Sequence, residues 1–167
     1  MKQILNLILL TVFSIIGSAQ NQSQMTINEN APVIKKNEIL IKAKPEIIWQ
    51  TLTEINKWKN WNSSITESEI NTILEIGSSF KWKINGSNIN SKIQILETNK
   101  AFGWTGKAFG AKAIHIWYLE ETKNGTIVRV EESMEGWFIK LFKKKMNQTL
   151  ENDMNYWLKQ LKNESEE

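Results

Sequence analysis

An α+β fold is predicted, a curved antiparallel sheet wrapped around a long C-terminal helix, with two short helices after the first strand. Three observations predict it. The stretch from Gly77 to Gly136 reads as three consecutive β-hairpins, and their turns and hydrophobic patterns assign the same residues to the same face. The stretch from Trp137 to Lys162 lacks Gly and Pro and repeats apolar residues at helical spacing. The sheet has one apolar face that needs a cover, and the helix has one apolar face of matching length.

The chain of 167 residues suits one domain. Met1-Lys2, the apolar run Ile4 to Ile16 and the small residues Gly17-Ser18-Ala19 have the form of a secretory signal cleaved after Ala19. The run is shorter than the ~20 apolar residues of a stable membrane anchor. Residues 20–31 are polar and unpatterned and read as a flexible leader. The heavy use of Asn, Ile and Lys resembles bacterial coding bias, so the expected location is periplasmic or secreted. The folded domain is expected over 32–163, with a disordered tail at 164–167.

Val33 to Ala43 alternates around Ile39 and Ile41 as the first strand, and Pro45 suits the first position of a helix. That helix, Pro45 to Ile55, places Ile48, Leu52 and Ile55 on one face, and Asn56 to Trp61 reads as a second short helix. Ser64 to Ile70 is a weaker strand. The Asn85-Gly86 turn then sets Trp82 opposite Ile89 and Phe80 opposite Ser91. A turn at Thr98-Asn99 sets Ile95 opposite Phe102 and Ile93 opposite Trp104. A turn at Asn124-Gly125 sets Leu119 opposite Val130, Trp117 opposite Glu132 and His115 opposite Met134. Strand alternation then gives an inner face of Phe80, Trp82, Ile84, Ile89, Ile93, Ile95, Phe102, Trp104, Gly106, His115, Trp117, Leu119, Val128, Val130 and Glu132. The outer face is lysine- and glutamate-rich, with Ile114 and Ile116 as apolar exceptions. In the last helix Phe142, Met146, Leu150, Asp153, Trp157 and Leu161 share one face.

Several chemistries are excluded. The chain has no cysteine, hence no disulfide, thiolate metal site or cysteine nucleophile. A single histidine and no glycine-rich phosphate loop leave no metal cluster and no cofactor motif. A formal charge of +3 with dispersed lysines does not indicate a nucleic-acid partner.

The order of elements resembles the START-like or SRPBCC superfamily with its helix-grip fold, and the local wording resembles its polyketide cyclase/dehydrase-type branch. Ala43-Lys44-Pro45-Glu46-Ile47-Ile48-Trp49 resembles the family's proline and "x-x-V-W" helix start, and Trp58-Lys59-Asn60-Trp61-Asn62 its "W-x-x-W-N" segment. Phe102-Gly103-Trp104-Thr105-Gly106 is similar to "L-x-W-x-G", and His115-Ile116-Trp117-Tyr118-Leu119 to "H-x-F-x-L". Asn124-Gly125-Thr126 through Glu132 and Gly136 is similar to "G-G-T-x-V … E-x-x-x-G". The resemblance spans about Ile39 to Leu161. It implies a small hydrophobic molecule held between sheet and helix, either for binding and transfer or for cyclisation and dehydration of polyketide chains. The sole arginine, Arg129, falls on the outer face, and no tyrosine falls on the inner one.

The candidate ligand-binding residues are therefore Phe80, Trp82, Phe102, Trp104, His115, Trp117, Val130, Glu132 and Trp157. His115 and Glu132 are polar on an apolar face, diagonal neighbours in this register. They read as a buried pair satisfying each other's hydrogen bonds, as anchors for a ligand's polar head, or as a catalytic acid/base pair. The aromatic residues read as core before they read as pocket. Lys143-Lys144-Lys145 reads as a solvated helix face, and alternatively as a transient contact with anionic membrane headgroups. The gate expected for the cavity is the Lys107 to Gly110 loop with the end of the last helix, because Gly106 and Gly110 permit movement there.

Overall fold

The computed structural model describes residues 25–167. The expected signal segment and residues 20–24 of the leader lie outside the described residues. The chain folds as β1 (Val33–Ile41), α1 (Pro45–Thr53), a 3-10 turn (Ile55–Lys57), α2 (Trp58–Trp61), β2 (Ile65–Glu69), β3 (Ser79–Ile84), β4 (Ser87–Glu97), β5 (Ala101–Ala108), β6 (Ala111–Thr122), β7 (Gly125–Glu135), α3 (Trp137–Leu141) and α4 (Lys143–Glu166). The seven strands form one antiparallel sheet in the order β1-β7-β6-β5-β4-β3-β2. The first strand thus pairs with the last, and α4 lies across the concave face with Leu150, Met154, Trp157, Leu158 and Leu161 buried. This is the helix-grip architecture that the sequence predicts.

Local chemistry explains most boundaries. Pro45 opens α1 where its missing N–H costs no bond, and Ile48 and Leu52 bury one face one turn apart. Asn85 and Gly86 both have positive φ, as a two-residue hairpin turn of this type requires, and the pairs Ile84–Ser87, Trp82–Ile89 and Phe80–Ser91 form as expected.

Two registers differ from expectation. In the second hairpin Ile93 pairs with Trp104, but a bulge between Ile93 and Ile95 places Leu96, not Ile95, opposite Phe102. The bulge inverts the parity of the strand, so Ile95 points outward. In the third hairpin the turn residues are Lys123 and Asn124, and Thr122 pairs with Gly125. Leu119 consequently faces Val128, Trp117 faces Val130 and His115 faces Glu132. The turn is displaced by one residue and each partner by two, so every residue keeps its face. Gly125 serves a different purpose from the one its dipeptide suggests. At φ +127° it lies against β1, where a Cβ would sit 2.2 Å from the Ile41 carbonyl oxygen.

The outer face also departs from expectation. Ile114 and Ile116 are not exposed; Ile116 has no exposed surface. A second apolar cluster unites Ile27, Ile95, Ala101 and Ile116, with Met25, Ile34, Ile114 and Tyr118 packed against it. Residues 25–31, read as flexible leader, thus cross the outside of the sheet. The Asn28 N–H donates to Ser133 Oγ at 3.0 Å and pins that segment to β7.

The C-terminal region is two helices rather than one. Phe142 leaves helical geometry at φ −110°, ψ 28°, and α3 turns away to pack on the β5–β6 turn, where the Phe138 N–H donates to the Gly110 carbonyl at 3.2 Å. Beyond residue 163 the chain stays helical through Glu166 instead of forming a loose tail. Lys162 Nζ donates to the Leu40 carbonyl at 2.7 Å and Glu166 accepts the Lys42 N–H at 2.6 Å, so this end holds the edge of β1.

Candidate functional site

The space between sheet and α4 is filled at one end and open at the other, and side-chain size along β5 and β6 decides which. The inward cross-strand pairs run Phe102–Trp117, Trp104–His115, Gly106–Ala113 and Ala108–Ala111. Large rings meet α1 and α2 at the first end. There Trp58 stands edge-on to Phe80, Trp82 and Trp157 with centroids 5.3–5.8 Å away, and its indole N–H donates to the Leu52 carbonyl at 2.9 Å. The small residues at the second end cannot reach the helix, and a cavity of ≈ 890 Å³ remains. Its walls come from the β3–β4 turn, the β5–β6 end, Met134, Phe138, Ile139, and the α4 residues Met146, Leu150, Met154 and Trp157.

His115 sits at the inner end, 3% exposed, and is directly paired with Glu132. Its ring is stacked on Trp104 at 4.5 Å and 9°, and lies against Trp117 and Trp157 at 5.4 and 5.5 Å. Nδ1 is 2.5 Å from Glu132 Oε2. An ionised carboxylate only accepts, so Nδ1 carries the proton of this bond and fixes the tautomer. Nε2 is buried without a protein partner, as are the indole nitrogens of Trp117 and Trp157. Asp153 enters from α4, accepting from Asn85 Nδ2 at 3.0 Å. Burial raises its pKa above the ordinary carboxylate value, the Asn85 bond opposes this, and the nearby Glu132 charge adds to the rise. Lys107, Lys112 and Lys145 stand at the rim, and among the described residues none of them is ion-paired. Among the described residues no group of three metal-ligating side chains occurs.

Of the residues singled out from the sequence, Trp82, Trp104, His115, Glu132 and Trp157 line this cavity. Phe80, Phe102, Trp117 and Val130 are buried behind it in the core. Sequence reasoning noted Trp58 only within its family-like segment, although it organises the aromatic end, and passed over the small residues Ala108, Ala111 and Ala113, which make room at the other. The signal for the latter was there, since Gly106 was already on the inner face and its partner strand carries alanines at the same parity. The Lys107 to Gly110 segment does border the mouth, but Gly110 is tightly held, with a Cβ there meeting the Trp137 ring at 2.6 Å.

Comparison with known proteins fits this geometry. No curated protein matches the chain in sequence. Among solved structures, a hypothetical protein from Helicobacter pylori superimposes with a TM-score of 0.73 at 19% identity, covering 99% of both chains. A protein from Chromobacterium violaceum gives 0.68 at 13% identity, over 81% of this chain and 99% of that one. The Zhui aromatase/cyclase from a Streptomyces species gives 0.70 at 10% identity, over 80% of this chain and 93% of that one. These likenesses establish the fold. In sequence, the profile described as "Polyketide cyclase / dehydrase and lipid transport" matches residues 35–166, well over half of the chain, and the protein belongs to that family.

Proposed function

We propose that the protein binds a small, largely apolar molecule, lipid-like or polyketide-like, between the sheet and α4. One observation carries this reading: an apolar cavity of ≈ 890 Å³ ends on a buried histidine whose Nε2 has no protein partner. Ligand sites of this kind combine mostly hydrophobic walls with a few polar groups that orient the occupant.

A second reading follows from the His115–Glu132 bond. A histidine oriented through Nδ1 by a carboxylate, with Nε2 facing a cavity, has the arrangement of a general base. On that reading the protein would be a cyclase- or dehydratase-like enzyme removing a proton from a bound carbonyl compound.

Saturable binding of a fatty-acid-sized fluorescent probe tests the first reading. Ala113 lies between Gly106 on β5 and Met134 on β7, and all three line the cavity, so a tryptophan there would extend into the cavity beside the flexible Met134 side chain. Ala113→Trp is expected to weaken binding about tenfold or more in protein that keeps its circular dichroism spectrum, since filling the site forfeits the ligand's burial. Undiminished affinity in that variant would place the probe elsewhere. Turnover of a polyketide-like carbonyl compound that Glu132→Gln abolishes while probe binding persists would favour the enzyme.

A further inference from the structure

The geometry points to a ligand of defined polarity: a hydroxyl, phenol or enol enters first and is held by His115 Nε2, while an acidic group remains at the lysine rim. This deepens the binding reading above and rests on it.

The inner end is built to accept a proton donor. Nδ1–H is committed to Glu132, so in the neutral ring Nε2 presents a lone pair. Stacking on Trp104 at 9° and the flanking Trp117 and Trp157 rings hold the imidazole plane, so Nε2 cannot turn to another acceptor or donor. A ligand hydroxyl would donate to Nε2 and keep its oxygen lone pairs for the unpartnered indole nitrogen of Trp157, which lines the cavity. A methyl ether or a ketone offers no proton, and would bury a second lone pair against the first.

The same end excludes anions. Glu132 and Asp153 both face it, and their mutual charge is felt at Asp153. A ligand carboxylate there would stand beside two other carboxyl groups. The rim has the opposite sign. Residues 107–112 and 135–146 carry six lysines against one glutamate, +5 out of a formal +3 for the whole chain, so the remainder is net −2. Three of those lysines line the mouth. An amphipathic acid therefore has one favourable orientation.

Displacement of the fluorescent probe by lauryl alcohol, its methyl ether, lauric acid and ω-hydroxylauric acid reads this directly. The alcohol is expected to bind about tenfold tighter than the ether, because a site built around one hydrogen bond rejects the analogue that cannot make it. The ω-hydroxy acid should bind tightest of the four. His115→Leu should make alcohol and ether equal. Should that variant fail to fold, Glu132→Gln serves instead: an amide can donate to Nδ1 as well as accept, which frees the tautomer and lowers the alcohol preference. Lys112→Gln with Lys145→Gln should remove the advantage of the ω-hydroxy acid over the alcohol. Equal binding of alcohol and ether by the unaltered protein, or a preference that survives His115→Leu, would overturn the assignment and leave the binding reading standing. Failure of all four to displace the probe would remove both.

Discussion

Asp153 shows how a single side chain can report on the cavity. Its carboxyl is pushed to a higher pKa chiefly by burial, and secondly by Glu132, against one favourable bond from Asn85. The folded state therefore holds this proton more tightly than the unfolded state does. Stability linked to it is full below the ordinary carboxylate pKa of about 3.9 and is lost as pH rises through the folded value. At neutral pH the ionised group is a liability. Asp153→Asn removes the charge while its carbonyl can still accept from Asn85, so the variant is expected to unfold at higher urea than the parent at neutral pH. The difference should vanish near pH 3, where both side chains are neutral. A variant that is less stable at neutral pH would show that Asp153 is held by attractive charge instead. Asp153 from α4 and the His115–Glu132 pair from the sheet bring three ionisable groups to one apolar cavity, an arrangement that suits a site better than a core.

At the scale of elements, the segment 25–31 behaves as part of the fold. Ile27 is 4% exposed beneath which lie Ile95, Ala101 and Ile116. Truncating it to alanine is expected to cost about 2–3 kcal/mol, the lower part of the range for buried aliphatic deletions, because the site lies at the margin of the molecule and can relax. Urea unfolding would show this as a lower midpoint at constant slope. A shift below about 0.5 kcal/mol, as for surface substitutions, would mean that the segment does not pack there in solution. This element also marks what the sequence could reveal. The faces of the strands were legible, since alternation and turn residues both encode parity, and they placed His115 and Glu132 on one face as diagonal neighbours, where the structure pairs them directly. The register of the third hairpin was not, because Gly125 looks like a turn residue and is required by the approach of β1. Ile95 was misplaced because the bulge in β4 carries no Gly or other local mark. Ile114 and Ile116 looked exposed because Met25 and Ile27 are too few to form a pattern. The break at Phe142 follows from packing against the β5–β6 turn, which no local propensity announces.

For the whole molecule, the contrast between its two ends decides how the cavity can exist. At ~24 cal/mol per Å³ a dry void of ≈ 890 Å³ would cost about 21 kcal/mol. That exceeds the 5–15 kcal/mol that stabilises an ordinary domain. The aromatic end offers no exceptional compensation, since its rings are packed as in any core. The cavity is thus stable because solvent or a ligand occupies it, and its mouth is open between the β3–β4 turn, the β5–β6 turn and α4. An apolar ligand would replace water along walls made by Met134, Phe138, Leu150 and Met154, removing apolar surface from solvent on both partners. The robust thermodynamic mark of that exchange is a negative heat-capacity change, whatever the balance of enthalpy and entropy at one temperature. Titration calorimetry of lauryl alcohol or the fluorescent probe at several temperatures should give a binding enthalpy that becomes more favourable on warming. Ala113→Trp should weaken the binding about tenfold or more, and the heat with it at the same concentrations. A temperature-independent enthalpy would mean that the ligand rests on the surface at the lysine rim without entering the cavity.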